Sequence, residues 1–304
     1  MSTDSDVGVW FGVFLPQLRM SFDTILERTL AAEAAGFDSV WLMDHLAAPA
    51  APQWDTLEGW TLAAGLATRT TRVRLGHLVT ADPFRHPALL AKMAATVDAL
   101  SDGRLELGLG WGSVDEELHA FGIDARTAPE RAARLGDTLE ILARMFAGEP
   151  FDYSGSHYRL EGAVGRPRPV QAHIPVHIGG AGPKLTMPLV REFADWWNCP
   201  SYAAERLAEL APLAGGARVS VQHPIGLAAG AGDRDEVDAV TRRRFGSWGG
   251  VVTGTADAVA AALTADVKRG ARGFVLQFHD FGATETLDQF MTDVAPAVRA
   301  AADG

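Results

Sequence analysis

The fold class this sequence predicts is α/β, a (β/α)8 TIM barrel with insertion segments at the carboxyl-terminal face of its strands, and three observations predict it. Short apolar runs of strand length alternate with longer stretches whose apolar residues recur at helical spacing, the pattern of a parallel sheet wrapped by helices. Eight such runs occur, and a helix follows each, which suits a closed ring better than an open sheet. The 304 residues are enough for one barrel of roughly 250 residues plus insertions, so residues 1–304 are read as a single domain.

The first strand is read at residues 9–15 and its helix at 21–35, closed by Gly36, a residue type suited to a helix C-cap. A second strand at 38–44 leads to a helix at 55–68. Residues 73–79 and 104–110 are apolar on both faces, as strands covered on two sides must be. Between them Pro87 opens a helix, where its missing N–H costs nothing, and Leu89, Leu90, Met93, Val97 and Leu100 keep the helical period. A long amphipathic helix at 129–147 precedes a strand at 175–178, a helix at 183–193 and a strand at 195–198. Then come a helix at 203–213, a strand at 218–228, a helix at 257–269, a strand at 273–278 and a final helix at 286–301. Residues 148–174, and residues 229–252 with Gly249 and Gly250, exceed this count and are read as insertions covering an active-site mouth.

Composition removes several function classes. Acidic residues outnumber basic ones 38 to 27, giving a net charge of −11, and no basic cluster is present to neutralise duplex DNA or an anionic membrane surface. No apolar run of about 18 residues exists to span a bilayer. The opening MSTDSDVG lacks the basic and apolar parts of a signal peptide, so a cytoplasmic protein is expected. The single cysteine, Cys199, has no disulfide partner and is read as packing.

Barrels carry their chemistry at the carboxyl ends of the strands. This brings Asp44, His45, residues 79–82, Gly110 to Ser113, residues 179–182, Asn198, Gln222, His223 and Gln277 to one mouth. The nine histidines form no ligand pair beside a carboxylate, and no serine sits in a G-x-S-x-G turn, so neither a metal site nor a serine nucleophile is read. Glycine, bare backbone and a few polar tips suit a large planar cofactor and a small-molecule substrate. Gly179, Gly180, Ala181 and Gly182 precede Pro183, read as the first residue of a helix, so their N–H groups suit a cofactor phosphate; a plain strand-to-helix turn is the alternative. Gly108, Gly110 and Gly112 alternate along a strand end and bare one face to a flat ring, without the spacing of the dinucleotide fingerprint. His45 is a candidate ring contact or proton carrier near neutral pH.

Three segments, WLMDHL at 41–46, LVTADPFRHPALLAKMAATVDALSDGRLELGLG at 78–110, and VHIGGAGPKL at 176–185 followed by FADWWN, resemble the bacterial luciferase-like superfamily of flavin- and deazaflavin-dependent oxidoreductases. Their order and spacing together carry the resemblance, which covers residues 9–199 well and 250–279 loosely. It implies FMN or the deazaflavin F420 in the barrel mouth, and a non-prolyl cis peptide behind the ring that falls by position at Leu78–Val79. Asp44-His45 after the second strand resembles the F420 branch. The resemblance therefore implies an F420-dependent oxidoreductase moving a hydride between the deazaflavin C5 and an unidentified organic substrate. An FMN-dependent monooxygenase served by a separate reductase, or a flavin-binding relative without turnover, are the alternatives, and a homodimer is left open.

The same resemblance implies cofactor contacts from Asp44, His45, Leu78, Val79, Thr80, Gly110, Trp111, Gly112, Glu117, Gly179, Gly180, Ala181, Gly182 and Pro183, with His45 as the catalytic candidate. Ser113 stands where the sugar-phosphate dehydrogenases of the branch have glutamate, and Trp111 occupies a normally small site. Glu117 matches the family's downstream glutamate; a solvated carboxylate at a helix start is its alternative. With no acid beside it, His45 is expected to hold the cofactor more than to move protons. Trp54, His77, Trp111, His223 and Gln277, with the insertions, are expected to set substrate choice.

Overall fold

A computed structural model describes residues 8–302. Eight strands run parallel around a closed ring: β1 (Trp10–Phe14), β2 (Ser39–Leu42), β3 (Arg74–His77), β4 (Leu105–Gly110), β5 (Val176–Gly179), β6 (Trp196–Cys199), β7 (Arg218–Leu227) and β8 (Ala271–Phe278). Each pairs with the next, and β8 returns to β1 through Trp10↔Gly273 to Val13↔Leu276, which closes the barrel. Every predicted strand is found. The helices that cover it include α1 (Phe22–Ala35), α2 (Gly59–Ala67), α3 (Pro87–Leu100), α4 (Asp115–Ala120), α5 (Ala128–Ala147), α6 (Thr186–Phe193), α7 (Arg234–Phe245) and α8 (Ala256–Lys268).

Local chemistry sets these boundaries. The Ser21 hydroxyl accepts from the Thr24 N–H at the start of α1, and Gly36, at φ 101°, closes it. Pro87 opens α3 as expected, and a Thr127–Glu130 capping box starts α5. Two predicted helices are broken by proline, which has no N–H to continue the ladder. Residues 201–214 form three short turns with Pro212 in the last, and the final helix widens over Phe290–Val294, just ahead of Pro296.

Phe11, Phe37, Phe274, Phe278 and Phe290 pack between strands and helices, while Phe14, Trp41, Met43 and Val275 form a separate apolar cluster. Trp41 fits because Gly12 and Gly76 stand beside it; a Cβ at Gly76 would meet its ring at 2.7 Å. The two insertions differ from each other. Residues 229–252 leave the carboxyl end of β7 and do belong to the mouth. Residues 148–174 leave the opposite end, after α5, and this corrects the expectation for them: the hairpin of Phe151–Ser154 and Arg159–Ala163 packs along the outside of α5, with Tyr153 donating to Asp137 at 3.0 Å and Tyr158 meeting Arg134. Among the described residues no helix is long and apolar enough to cross a membrane.

Candidate functional site

The carboxyl ends of β2 to β7 surround a cleft of about 280 Å³. Its first wall is a bulge after β3, where the Leu78–Val79 peptide is cis, as the resemblance implied, and Thr80–Ala81 rejoins the sheet beside Leu109 and Gly110. Val79 lies across the strand ends. A Cβ at Gly110 would meet its Cγ2 at 2.5 Å and one at Gly179 its Cγ1 at 2.9 Å, so these glycines exist to seat the bulge. This corrects the expectation that the G-x-G-x-G face is bare for a ring: the His77 carbonyl fills the space over Gly108, Val79 that over Gly110, and the Pro83 ring that over Gly112. Backbone of Gly110 and Gly112, with the Trp111 side chain, still borders the cleft.

Asp44 is 3% exposed and holds this bulge in place. Its two oxygens take both arms of Arg85 at 2.6 and 2.8 Å, a bidentate pair, and the Ala81 N–H at 2.8 Å. Arg85 also reaches Glu58, which caps α2, at 2.7 Å. Asp44 borders the cleft but its carboxylate is spent, so its expected cofactor contact becomes a positioning role. Thr80 is fully buried and outside the cleft lining, which corrects its expected contact.

His45 faces the cleft, and Glu117 stands behind it. Oε2 of Glu117 meets His45 Nδ1 at 2.8 Å, while Oε1 accepts from the N–H groups of Leu46 at 2.6 Å and Ala47 at 3.1 Å. Burial pushes this carboxyl up, but the His45 contact and the two backbone donors outweigh burial and hold it below its ordinary range. The solvated alternative for Glu117 is thereby excluded. In a neutral imidazole a carboxylate on Nδ1 favours the proton on that nitrogen, and Nε2 has no partner among the described residues. A carboxylate does stand beside His45, brought by α4 from four residues beyond Ser113, which corrects the expectation that none would; Glu117 touches His45 and its loop, and it is not among the cleft-lining residues.

Opposite His45 the chain turns from β5 into α6. The helix begins at Thr186, three residues later than expected, because the Gly182 carbonyl accepts from both Thr186 and Met187, at 2.9 and 3.1 Å. Pro183 therefore sits exposed in the preceding turn, outside the cleft, which corrects both its helix position and its expected contact. Gly180 adopts φ 129°, a conformation side chains rarely allow. The N–H groups of Ala181 and Gly182 find no acceptor among the described residues and border the cleft.

Two other expected substrate residues are structural. His77 is buried, stacked on Trp60 at 4.5 Å, and burial lowers its pKa. His223 has both ring nitrogens engaged, Nδ1 with the Gly250 carbonyl at 2.7 Å and Nε2 with Asp266 at 2.8 Å. Cys199 is fully buried, its thiol pushed up to about 12 by that burial, in line with a packing role. No metal-binding cluster of His, Cys, Asp and Glu occurs among the described residues.

A family model described as luciferase-like monooxygenase matches residues 9–217. The chain belongs to the luciferase-like monooxygenase family. Among curated relatives, an F420-dependent glucose-6-phosphate dehydrogenase of Microbacterium testaceum is 36% identical over 171 residues, 53% of this chain and 48% of the relative. The alignment thus spans about half of that protein's length. The enzyme of the same description from Kineococcus radiotolerans is 28% identical over 321 positions, covering 88% of this chain and 90% of the relative. Among solved structures, an F420-dependent secondary alcohol dehydrogenase in complex with an F420–acetone adduct superposes with a TM-score of 0.82 at 20% identity, covering 96% of this chain and 99% of the other; that likeness shows the shared fold.

Within this luciferase-like cleft, reading the sequence missed Thr186, Pro200 and Tyr202, all of which line it. Pro200 and Tyr202 lie just past β6 in a segment read as loop and helix start, and no local pattern marks them. Asn198 and Gln222, seen only as strand ends, line it as well.

Proposed function

We propose that this luciferase-like barrel is an oxidoreductase that uses the deazaflavin F420 to move a hydride to or from a small organic substrate. The observation that carries this reading is the His45–Glu117 pair, which presents a free Nε2 to a cleft whose far wall offers two unpaired N–H groups. The cleft fits such a cofactor on its own terms. Val79, clamped on Gly110 and Gly179, gives a rigid apolar wall against which a flat ring can rest, and the Ala181 and Gly182 N–H groups suit an anionic group without any lysine or arginine in the lining. When bound, F420 supplies the hydride-transfer centre at C5 of its ring. The names of the relatives support F420 over FMN.

The chain's own residues then have separable tasks. His45 Nε2 accepts or returns the proton that accompanies the hydride on the substrate, and Glu117 holds the tautomer and stabilises the imidazolium as it forms. Arg85, through Asp44, keeps the bulge and the His45 loop in register. Trp111 and Tyr202 border the opening through which the substrate enters. The test is a pair of fluorescence titrations of the purified protein, one with F420 and one with FMN. F420 is expected to bind at least tenfold more tightly; equal or tighter binding of FMN would overturn the reading and favour the monooxygenase chemistry of other members.

A further inference from the structure

A second pocket, of about 630 Å³, opens in the same barrel mouth and is not part of the cleft. Loop residues after β1 and β2, the segment 243–248 of the insertion after β7, and Gln277 on β8 enclose it. The two spaces share a wall. Leu78 from the cleft, and Leu18 and Trp248 from the pocket, all pack on the cluster of Phe14, Trp41, Met43 and Val275.

Two independent features of this pocket ask for a ligand. Gln277 is 1% exposed and lines the pocket, yet neither its Oε1 nor its Nε2 has a hydrogen-bond partner. Buried amides are normally paired, so an orphaned one at a pocket wall marks where an outside polar group belongs. Charge gives the second feature. In a chain with a net charge of −11, this pocket is bordered by Arg19, Arg243 and Arg244 and by no carboxylate. Arg19 lies over the Trp54 ring at 5.3 Å, and Arg244 lies over Phe281 at 5.1 Å and donates to the His279 carbonyl. Arg243 has no ion-pair partner among the described residues. Three like charges around one apolar, aromatic hollow leave a field that a neutral guest does not answer.

We infer that this pocket takes an organic anion with an apolar, flat body: the anionic group meets Arg19 and Arg243, the body lies on Trp54 and Trp248, and a polar atom further along meets Gln277. The pocket is separate from the cleft, and binding there does not depend on the F420 reading.

The test uses the whole chain without cofactor and two probes of one shape, 2-naphthoate and neutral 2-naphthamide, followed by calorimetry. Naphthoate is expected to bind at least tenfold more tightly than naphthamide, with a preference that shrinks as salt rises. In the double variant Arg19→Gln, Arg243→Gln that preference disappears, while naphthamide affinity stays within twofold; both side chains are exposed, so folding is not at stake. Equal binding of the two probes, a preference that survives in the double variant, or no naphthoate binding at millimolar concentration overturns the inference. F420 titrated into the same samples separates the two readings. F420 binding without a naphthoate preference sinks the pocket alone, and the reverse sinks the cofactor reading alone.

Discussion

At the amino end of the barrel, Glu106 on β4 joins Arg74 on β3 and takes Nε2 of His177 on β5 at 2.7 Å, while Gln171 links Arg74 at 2.8 Å to Asp98 at 2.7 Å. At the carboxyl end, the N–H groups of Ala181 and Gly182, the Gln277 amide and the Arg243 guanidinium have no partner within the described chain. The first set is polar chemistry turned inward; apart from His177 Nδ1, its side chains satisfy one another. The second set is polar chemistry left open. Both ends sit on the same strands, so the contrast comes from where the pairing partners were placed, and it separates the end that stabilises from the end that binds.

The sharpest way to break the comparison is to disturb the closed end. Glu106→Ala leaves Arg74 and the buried His177 facing each other without their carboxylate, and a loss of about 3 kcal/mol in unfolding free energy is expected. Urea denaturation measures it, and F420 affinity of the folded fraction should stay within twofold. A large drop in affinity would mean that the two ends are coupled and the division is wrong.

At the open end the same size of change should act on binding and spare the fold. Ala181→Asp puts a carboxylate beside the free N–H groups, and F420 affinity is expected to fall tenfold or more, about 1.4 kcal/mol, through like-charge contact with the cofactor's anionic group. Ala181 is the informative position because Gly180, at φ 129°, would be strained by any side chain. Thermal unfolding of the variant within about 2 °C of the parent, combined with unchanged F420 binding, would move the anion site away from this turn.

Much of the closed frame was legible in the sequence, because strands and helices are written in short-range periodicity: α1 with Ser21 and Gly36 at its ends, α3 opening on Pro87, and eight apolar runs in order. The open end was legible only in part, for reasons that particular residues make clear. A missing side chain looks the same in sequence whether a ligand or the protein fills the space, so Gly108, Gly110 and Gly112 read as a bare face although the His77 carbonyl, Val79 and Pro83 occupy it. The delay of α6 to Thr186 depends on one carbonyl, that of Gly182, serving two donors. His45 and Glu117 lie 72 residues apart, and no local pattern announces that α4 brings the carboxylate to the imidazole. Gln277 reads as an ordinary strand-end amide, because an absent partner leaves no trace in the sequence.

The smallest expected effect belongs to Glu117, which lies at the open end yet is fully paired, and so tests where the boundary between the two regions runs. Its carboxyl is held below its ordinary value of 4.5 by His45 and by the Ala47 and Leu46 N–H groups, against the upward push of burial. A carboxyl depressed in the folded state contributes stability that is fully present above its unfolded value and disappears as pH falls through its folded one. Glu117→Gln keeps an oxygen for the backbone donors but loses the charge. The variant should therefore be less stable than the parent by about 1 kcal/mol near neutral pH, and the gap should close below pH 4.5 as the parent's own carboxylate is protonated. The same variant has a second readout at His45. Nitrogen-15 spectra of the parent should place the neutral imidazole proton on Nδ1, and in Glu117→Gln that tautomer preference should weaken, freeing the ring to turn. A stability gap that is flat with pH, together with an unchanged tautomer, would make Glu117 a mere loop clamp and return His45 to the role of cofactor contact.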